Sequence, residues 1–262
     1  MFFRLSTGAL AVVLLALVGG ATALGHLVGR SVRHRSDGLR EPFAVMQAAM
    51  LGFMGLVLAF GLSLAVGRDE SRRTAVVEEA NAIGTSYLRA QTLPEPARSR
   101  SLPLLREFTD TSILVSETVP GSPEQDTAIA HSAQVERALW RQAGQALQLD
   151  PSGSATRLYV ESLNETFDAQ TSRVFGLRNR VPSAVIVLEI VGAAIALGLL
   201  ALHLATLGRG LTTVLVAAGL VTLALVITFD LDRPARGLIE VSAAPLVAER
   251  ASMSAPPAAG PD

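Results

Sequence analysis

The chain has 262 residues, of which 50% are apolar and only 17% are charged, and its formal net charge is −1. A soluble domain carries nearer a quarter of charged residues, so this composition indicates that much of the chain lies in a membrane. The near-zero charge argues against nucleic acid as the main partner, and the absence of cysteine excludes disulfides, thiolate catalysis and thiolate metal sites.

Four apolar runs are each long enough to cross a bilayer, whose core of about 30 Å requires about 20 helical residues. Lipid offers the backbone no hydrogen-bond partner, so each run must be a helix. We therefore predict an all-α polytopic membrane protein, two plus two transmembrane helices flanking a helical water-facing domain at 68–180. The predicted spans are residues 5–29, 43–67, 183–206 and 210–229.

The first run has an alternative interpretation as a cleavable signal peptide, with Ala21, Thr22 and Ala23 as the small residues of the cleavage site. Its apolar stretch continues through Leu27, which is longer than a typical signal core. N-terminal sequencing of the purified protein separates the two readings, since cleavage gives a start near Leu24.

Arginine placement predicts the orientation, because loops rich in basic residues stay in the cytoplasm. With four spans, both termini and the middle domain share one side of the membrane. Nine arginines lie near the membrane on that side and five on the other, so we expect the middle domain and both termini in the cytoplasm. The nine are Arg4, Arg68, Arg72, Arg73, Arg173, Arg178, Arg180, Arg233 and Arg236; the five are Arg30, Arg33, Arg35, Arg40 and Arg209. All 22 basic residues are arginine, which suggests a bacterial genome and therefore the inner membrane.

The water-facing domain reads as helices, because its apolar residues recur at three- and four-residue spacing. The first helix, through Leu93, is expected to continue the second span without a break, although Gly67 could bend it. Ser122 can cap another helix, with Gln125 completing a capping box. The remaining helices are expected at about 95–117 and 155–180, with a short juxtamembrane segment at 231–251 and a disordered tail at 252–262.

No pattern in the sequence indicates catalysis or a bound cofactor. The four histidines are far apart and lack metal-ligand spacing. There is no phosphate-cradling glycine loop and no nucleophile elbow. We therefore expect neither an enzyme nor a metal site, and no cofactor.

Glu189 lies inside the third span, about six residues from its cytoplasmic end, which is roughly 9 Å deep at 1.5 Å per residue. A carboxylate at that depth costs on the order of 2–3 kcal/mol, so it should face other helices or a water path. It could act in permeation or gating. Alternatively it is a protonated glutamic acid bonded to a hydroxyl such as that of Ser63 or Thr228.

The second span suggests a pore face, since Phe53, Val57 and Phe60 lie on one side at helical spacing. Rings of apolar side chains can gate a channel by dewetting. The simpler interpretation is ordinary packing between helices.

A polar stripe follows the second span, formed by Glu78, Asn81, Thr85 and Arg89. It could be a solvated helix face. Opposite charges with two neutral groups between them are also typical of a buried network, in which every member needs a partner. Candidate partners are Arg178 and Arg180 before the third span, and Asp232 and Arg233 in the segment 230–234 after the fourth.

These motifs resemble the bestrophin-like family of bacterial membrane proteins, over about residues 40 to 240. The resemblance rests on the run Glu79–Ala90, on Arg178 and Arg180, on Asp232-Arg233-Pro234 with Gly237, and on Phe60-Gly61-Leu62-Ser63. It implies a distant likeness to bestrophins, which are anion channels assembled as pentamers with cytoplasmic termini. That likeness would place the second span at the pore. No acidic cluster here matches the bestrophin calcium site, and the phenylalanine spacing is not that of bestrophins, so calcium gating and the neck residues do not carry over.

Two functions of different classes are therefore expected. The first is a homo-oligomeric channel, with a pentamer implied by the resemblance, that conducts small anions past Phe53, Val57 and Phe60, with positive potential from Arg89, Arg178 and Arg180. The second is a membrane-anchored interaction or sensor module without transport activity. A transporter with Glu189 as its proton site would need inverted repeats, and the two pairs of spans show no internal similarity.

Overall fold

The computed structural model describes residues 6–33, 40–208, 210–234 and 237–255, with only the backbone of 40–43 and 211. The expectations for Arg4, Arg35, Arg209 and Arg236, for the side chain of Arg40 and for the part of the predicted disordered tail at 256–262 lie outside the described residues. Residues 252–255 of that tail are described: Ser252 is the last residue of the C-terminal helix, and 253–255 form a turn after it.

The described residues form eight α-helices and no strand, which confirms the all-α class. The helices are α1 (Thr7–Val32), α2 (Arg40–Ala90), α3 (Ala97–Glu117), α4 (Pro123–Leu149), α5 (Ser154–Arg178), α6 (Ser183–Thr206), α7 (Leu211–Leu231) and α8 (Ala244–Ser252). Four of them are long and apolar enough to cross a membrane, as predicted: α1, the N-terminal part of α2, α6 and α7. The predicted continuity of the second span with the following helix is also confirmed, since α2 passes Gly67 without a break.

The chain divides into two compact units. The first comprises residues 1–68 and 180–239, and the second comprises residues 69–179 and 240–262. The first unit therefore contains the four membrane-spanning segments. The long helix α2 contributes its N-terminal part to the first unit and its C-terminal part to the second.

In the first unit, α1 packs closely against α6 because glycines remove the side chains between them. A Cβ atom at Gly25 would overlap the backbone of Gly198, and one at Gly29 would overlap that of Leu202. Small residues allow this approach, which increases van der Waals contact between helices in lipid. The core of the unit includes Leu10, Leu14, Val18, Ala193, Leu197, Ala201 and Leu225.

The second unit is a bundle of the C-terminal part of α2 with α3, α4, α5 and α8. Its core includes Ile83, Leu105, Phe108, Leu139, Tyr159 and Leu163, all of them fully buried. These side chains recur at three- and four-residue spacing on their helices, so one face of each helix points inward.

Local signals define the helix ends in this bundle. Ser122 caps α4 as predicted, its Oγ accepting a hydrogen bond from the backbone N–H of Gln125 at 3.2 Å. The amide oxygen of Gln125 accepts from the backbone N–H of Gly121 at 2.9 Å, whereas a standard capping box would use Ser122. At the end of α5, the buried Arg72 donates to the carbonyl of Asn179 at 2.7 Å, which satisfies a backbone group that the helix leaves free.

The C-terminal helix α8, which lies in the segment predicted as juxtamembrane, packs within the second unit. Leu246 and Met253 are fully buried in the bundle core. The carbonyl of Met253 accepts hydrogen bonds from Tyr87 Oη at 3.0 Å and from the Arg106 guanidinium at 2.7 Å. An interfacial position for this helix is therefore not needed to bury its apolar residues.

Candidate functional site

The membrane-spanning part of α2 buries only a narrow stripe. Met54, Gly61 and Ala65 are buried, and Met54 lies against Gly192 of α6. The rest of the circumference is largely exposed within the first unit, including Gly52, Phe53, Leu56, Ala59, Phe60 and Ser63. This span therefore carries an apolar face that the described part of the chain leaves uncovered.

The three predicted pore-lining residues do not share one environment. Phe53 is 53% exposed and Phe60 is 63% exposed. Val57 is half-buried and packs against the core of the first unit. Because α2 is docked through Met54 and Gly61, Val57 lies nearer the packed stripe, and only the two phenylalanines remain together on an open flank.

Glu189 is fully buried and lies against Gly61 of α2, so it faces another helix as expected. A Cβ atom at position 61 would occupy the space of its carboxyl group. Neither carboxyl oxygen has a hydrogen-bond partner among the residues that the structure describes. Ser63 is exposed, and the Thr228 hydroxyl donates to the carbonyl of Ala224 at 2.9 Å, so the expected hydroxyl partners are not used.

The predicted polar stripe on α2 is not a buried network. Glu78, Asn81 and Thr85 are exposed, and the Thr85 hydroxyl donates to the backbone carbonyl of Asn81 at 3.0 Å. Arg89 is half-buried and donates to the carbonyl of Leu158 at 2.8 Å. Of the two interpretations of this stripe, the exposed helix face describes Glu78, Asn81 and Thr85, because the packed face of α2 contains the neighbouring Glu79 instead.

The buried network of the second unit centres on Glu79, which pairs with Arg173 of α5. Both side chains are almost inaccessible to solvent, at 0% and 1%. The Ser112 hydroxyl donates to Glu79 Oε1 at 2.7 Å, and Gln170 Nε2 donates to Ser112 at 3.0 Å and to Ser132 at 2.7 Å. Such a network is favourable only when each member is satisfied, and these partners meet that condition.

Sequence reasoning missed Glu79 and Arg173 as a pair, although one signal was present. Glu79 lies between Val76 and Ile83, on the apolar side of α2 and not on its polar stripe. A charged residue on an apolar helix face requires a buried partner. Only the packing of α5 identifies that partner as Arg173.

The predicted arginine partners, Arg178 and Arg180, fall in different units. Arg178 forms an exposed ion pair with Asp126 at 2.5 Å in the second unit. Arg180 is half-buried and belongs to the first unit. The structure therefore does not bring Arg178 to the polar stripe of α2.

The acidic residues at the C-terminal end of α7 bind backbone amides of the first unit. Both oxygens of the buried Asp232 accept from the N–H of Val181 at 3.1 Å, just before α6 begins. Asp230 accepts from Leu238 N at 2.7 Å and Ile239 N at 2.9 Å. Gly237 leaves room for this carboxylate, since a Cβ there would lie 2.6 Å from it.

Arg233, the other predicted network member in this segment, is 5% exposed and therefore also buried. Together with Asp232, it places two charged side chains in the interior just beyond the last span. Within the described residues, no group of three or more histidines and carboxylates could hold a metal ion.

Comparison with known proteins agrees with this architecture. The family described as Bestrophin-like domain matches residues 10–246. No curated protein matches the sequence. Crystal structures of a bacterial Bestrophin homolog from Klebsiella pneumoniae, one phased on zinc and two with single mutations, match with a TM-score of 0.64 and 16% identity. The alignments cover 89–92% of this chain and 94–95% of that protein, and they show a shared fold. With its four apolar helices, its acidic segment after the last of them and this match over most of its length, the chain belongs to the bestrophin-like family.

Proposed function

We propose that the protein is a homo-oligomeric ion channel of the bacterial inner membrane, with α2 lining the pore. One observation carries the proposal: the membrane-spanning part of α2 fully buries only Met54, Gly61 and Ala65 within the first unit, with Val57 half-buried beside them. Lipid could cover the remaining face, but glycine and serine at Gly52 and Ser63 give lipid little to pack against. In an oligomer, the α2 helices of several subunits would surround a central axis, and this exposed face of each helix would line the pore or contact a neighbouring subunit.

Phe53 and Phe60 form the constriction in this proposal. Their exposed rings lie two turns apart on one flank of α2. Apolar rings can close a narrow pore by dewetting, because water and ions leave a short hydrophobic segment. Val57 packs against the core and would hold the helix in place behind the rings.

The charged residues near the proposed pore mouth, together with the family resemblance, indicate which ion the channel would conduct. Small anions are the first candidates, following the resemblance to bestrophins and the arginines of the cytoplasmic side. The exposed Glu78 on α2 opposes this choice, because a carboxylate at a pore mouth attracts cations and repels anions. Small cations are therefore the alternative, with Glu78, Asn81 and Thr85 as polar groups that would line the mouth.

Flux through liposomes containing the purified protein tests the proposal. We expect chloride or sodium flux that rises several-fold in Phe53→Ala and Phe60→Ala, because a smaller side chain keeps the constriction wet. Leu215→Ala is the matched control, since Leu215 is equally exposed but lies on α7. The Glu78→Gln variant should shift the anion-to-cation ratio toward anions.

Particle symmetry by electron microscopy tests the oligomer directly. A ring of subunits around a central axis, with five as the number implied by the resemblance, supports the channel. A monomer or dimer without such an axis, together with liposomes that pass neither ion, would contradict it. That result would favour a membrane-anchored interaction or sensor module.

A further inference from the structure

A cleft on the surface of the second unit lies between α4 and α5, away from the residues discussed so far. Its volume is about 450 Å³, and its lining consists of Glu136, Arg137, Trp140, Arg141, Asn164 and Phe167. Pockets of this size with aromatic walls and a few polar groups are typical of small-molecule sites.

The apolar wall of the cleft is aromatic. Trp140, the only tryptophan of the chain, is 45% exposed. Its ring centroid lies 6.3 Å from that of Phe167, which in turn lies 5.9 Å from the ring of the buried Phe108. The wall is thus held from behind by the core, and it offers a flat ring a surface on which to stack.

The polar groups of the cleft favour an anion. Arg137 and Arg141 stand one helical turn apart on α4, on either side of Trp140 in sequence. Both are exposed, and neither forms a hydrogen bond or an ion pair within the structurally described part of the chain. Two guanidinium groups so placed can hold a carboxylate through paired N–H donors.

Glu136 is the only acidic group among the lining residues. Burial raises the pKa of Glu136, the charge of Glu79 on α2 raises it further, and the charge of Arg137 lowers it. Even with Glu136 ionised, the lining carries one excess positive charge, and protonation of Glu136 adds a second.

We propose that this cleft binds a small aromatic carboxylate, whose ring packs against Trp140 and Phe167 and whose carboxylate is held by Arg137 and Arg141. Asn164 supplies a donor and an acceptor for a ring substituent. The site is independent of the proposed channel activity, since it lies wholly within the second unit.

Binding of para-fluorobenzoate to the full chain in detergent tests the proposal, followed by fluorine NMR line broadening. For a ligand of this size we expect a dissociation constant of about 1 mM. The Arg137→Gln/Arg141→Gln double variant and Trp140→Leu should each weaken binding at least tenfold. Arg157→Gln is the matched control, because it removes an exposed arginine of the same unit whose partner is the carbonyl of Ser152.

Ligand analogues separate the two halves of the site. Benzamide keeps the ring without the charge, and cyclohexanecarboxylate keeps the charge without a flat ring, so both should bind more weakly than benzoate. Equal broadening in all variants, or equal binding of the analogues, would overturn the proposal.

The fluorescence of the single tryptophan gives an independent readout. In the purified protein, acrylamide should quench Trp140, and benzoate should reduce that quenching in a saturable way. A Trp140 that is shielded from acrylamide without ligand would instead show the cleft to be covered by another copy of the chain, which would also overturn the proposal.

Discussion

Glu189 shows how one glycine permits a carboxyl group inside a membrane helix bundle. Its side chain occupies the space that Gly61 leaves open and is fully buried there. An ionised carboxylate without a partner is costly to bury, so the neutral acid is the form that such a site accommodates. The contact joins α2 to α6 at the stripe on which the proposed pore helix is docked.

We expect Gly61→Ala to destabilise the protein by about 1–3 kcal/mol, because its Cβ overlaps the Glu189 carboxyl group. Adding Glu189→Ala should restore part of that loss. The matched control is Gly55→Ala on the same helix, where a Cβ meets nothing within 4 Å. Thermal unfolding in detergent measures the effect, and equal midpoints for the two glycine variants would refute the steric argument.

Two of the arginine–carboxylate pairs in the second unit, one buried and one exposed, should differ strongly in their effect on stability. Removing one partner of a buried ion pair costs about 3–5 kcal/mol, so Arg173→Met, which strands Glu79, should lower the unfolding midpoint sharply. The exposed pair of Arg178 with Asp126 should contribute about 1 kcal/mol or less, as Arg178→Gln would show. Similar losses for the two variants would contradict the assigned burial.

Glu136 should make stability depend on pH. Burial raises its pKa in the folded chain above the unfolded value, so folding becomes less favourable as pH rises through the folded pKa. Glu136→Gln should therefore be more stable than the natural protein at neutral and alkaline pH. Below about pH 3, where the carboxyl group is protonated in both states, the two proteins should unfold at the same temperature. A difference that persists at low pH would point to a cause other than ionisation.

At the scale of elements, α8 shows how the chain after the last span returns to the second unit. Asp230 binds the amides of Leu238 and Ile239, and the following residues lead into the short helix. Nine residues form few helical hydrogen bonds of their own, so packing must stabilise α8. Leu246 and Met253 supply that packing from the helix and its C-cap.

Adjacent side chains of α8 test this interpretation. Leu246 is fully buried and Val247 is 49% exposed. Leu246→Ala should cost about 2–5 kcal/mol through the cavity that it leaves. Val247→Ala should change stability by about 0.5 kcal/mol at most. Limited proteolysis near residue 244 should accelerate only in the Leu246 variant, and equal cleavage of both would show that α8 is not anchored by Leu246.

At the scale of the whole molecule, the even number of spans is the feature with the widest consequence. Four membrane crossings would place both termini on one side of the bilayer, and from the arginine distribution we expect that side to be the cytoplasm. Reporter fusions at the two termini should therefore both be active in a cytoplasmic assay and inactive in a periplasmic one. Opposite reports would require an odd number of crossings.

Much of the fold was accessible from the sequence because its signals are local. Span length, the cap at Ser122 and the unbroken pattern through Gly67 all depend on neighbouring residues and on the solvent around them. The candidate site was less accessible. Phe53, Val57 and Phe60 were predicted on one face of the second span. The two phenylalanines share an exposed flank, whereas Val57 is half-buried against the core of the first unit.

The sequence alone determined the all-α class of this protein and its four apolar helices, and its motifs suggested the bestrophin-like family. Only the tertiary structure decided that Glu79, and not Glu78, is buried, and that Asp230 and Asp232 hold backbone amides. The physical reason is that successive side chains on a helix point about 100° apart, so a small rotation of the packed face changes which of them is enclosed. An apolar run predicts a membrane helix from a short stretch of sequence. The partner of a buried charge, in contrast, depends on which distant segments pack against it.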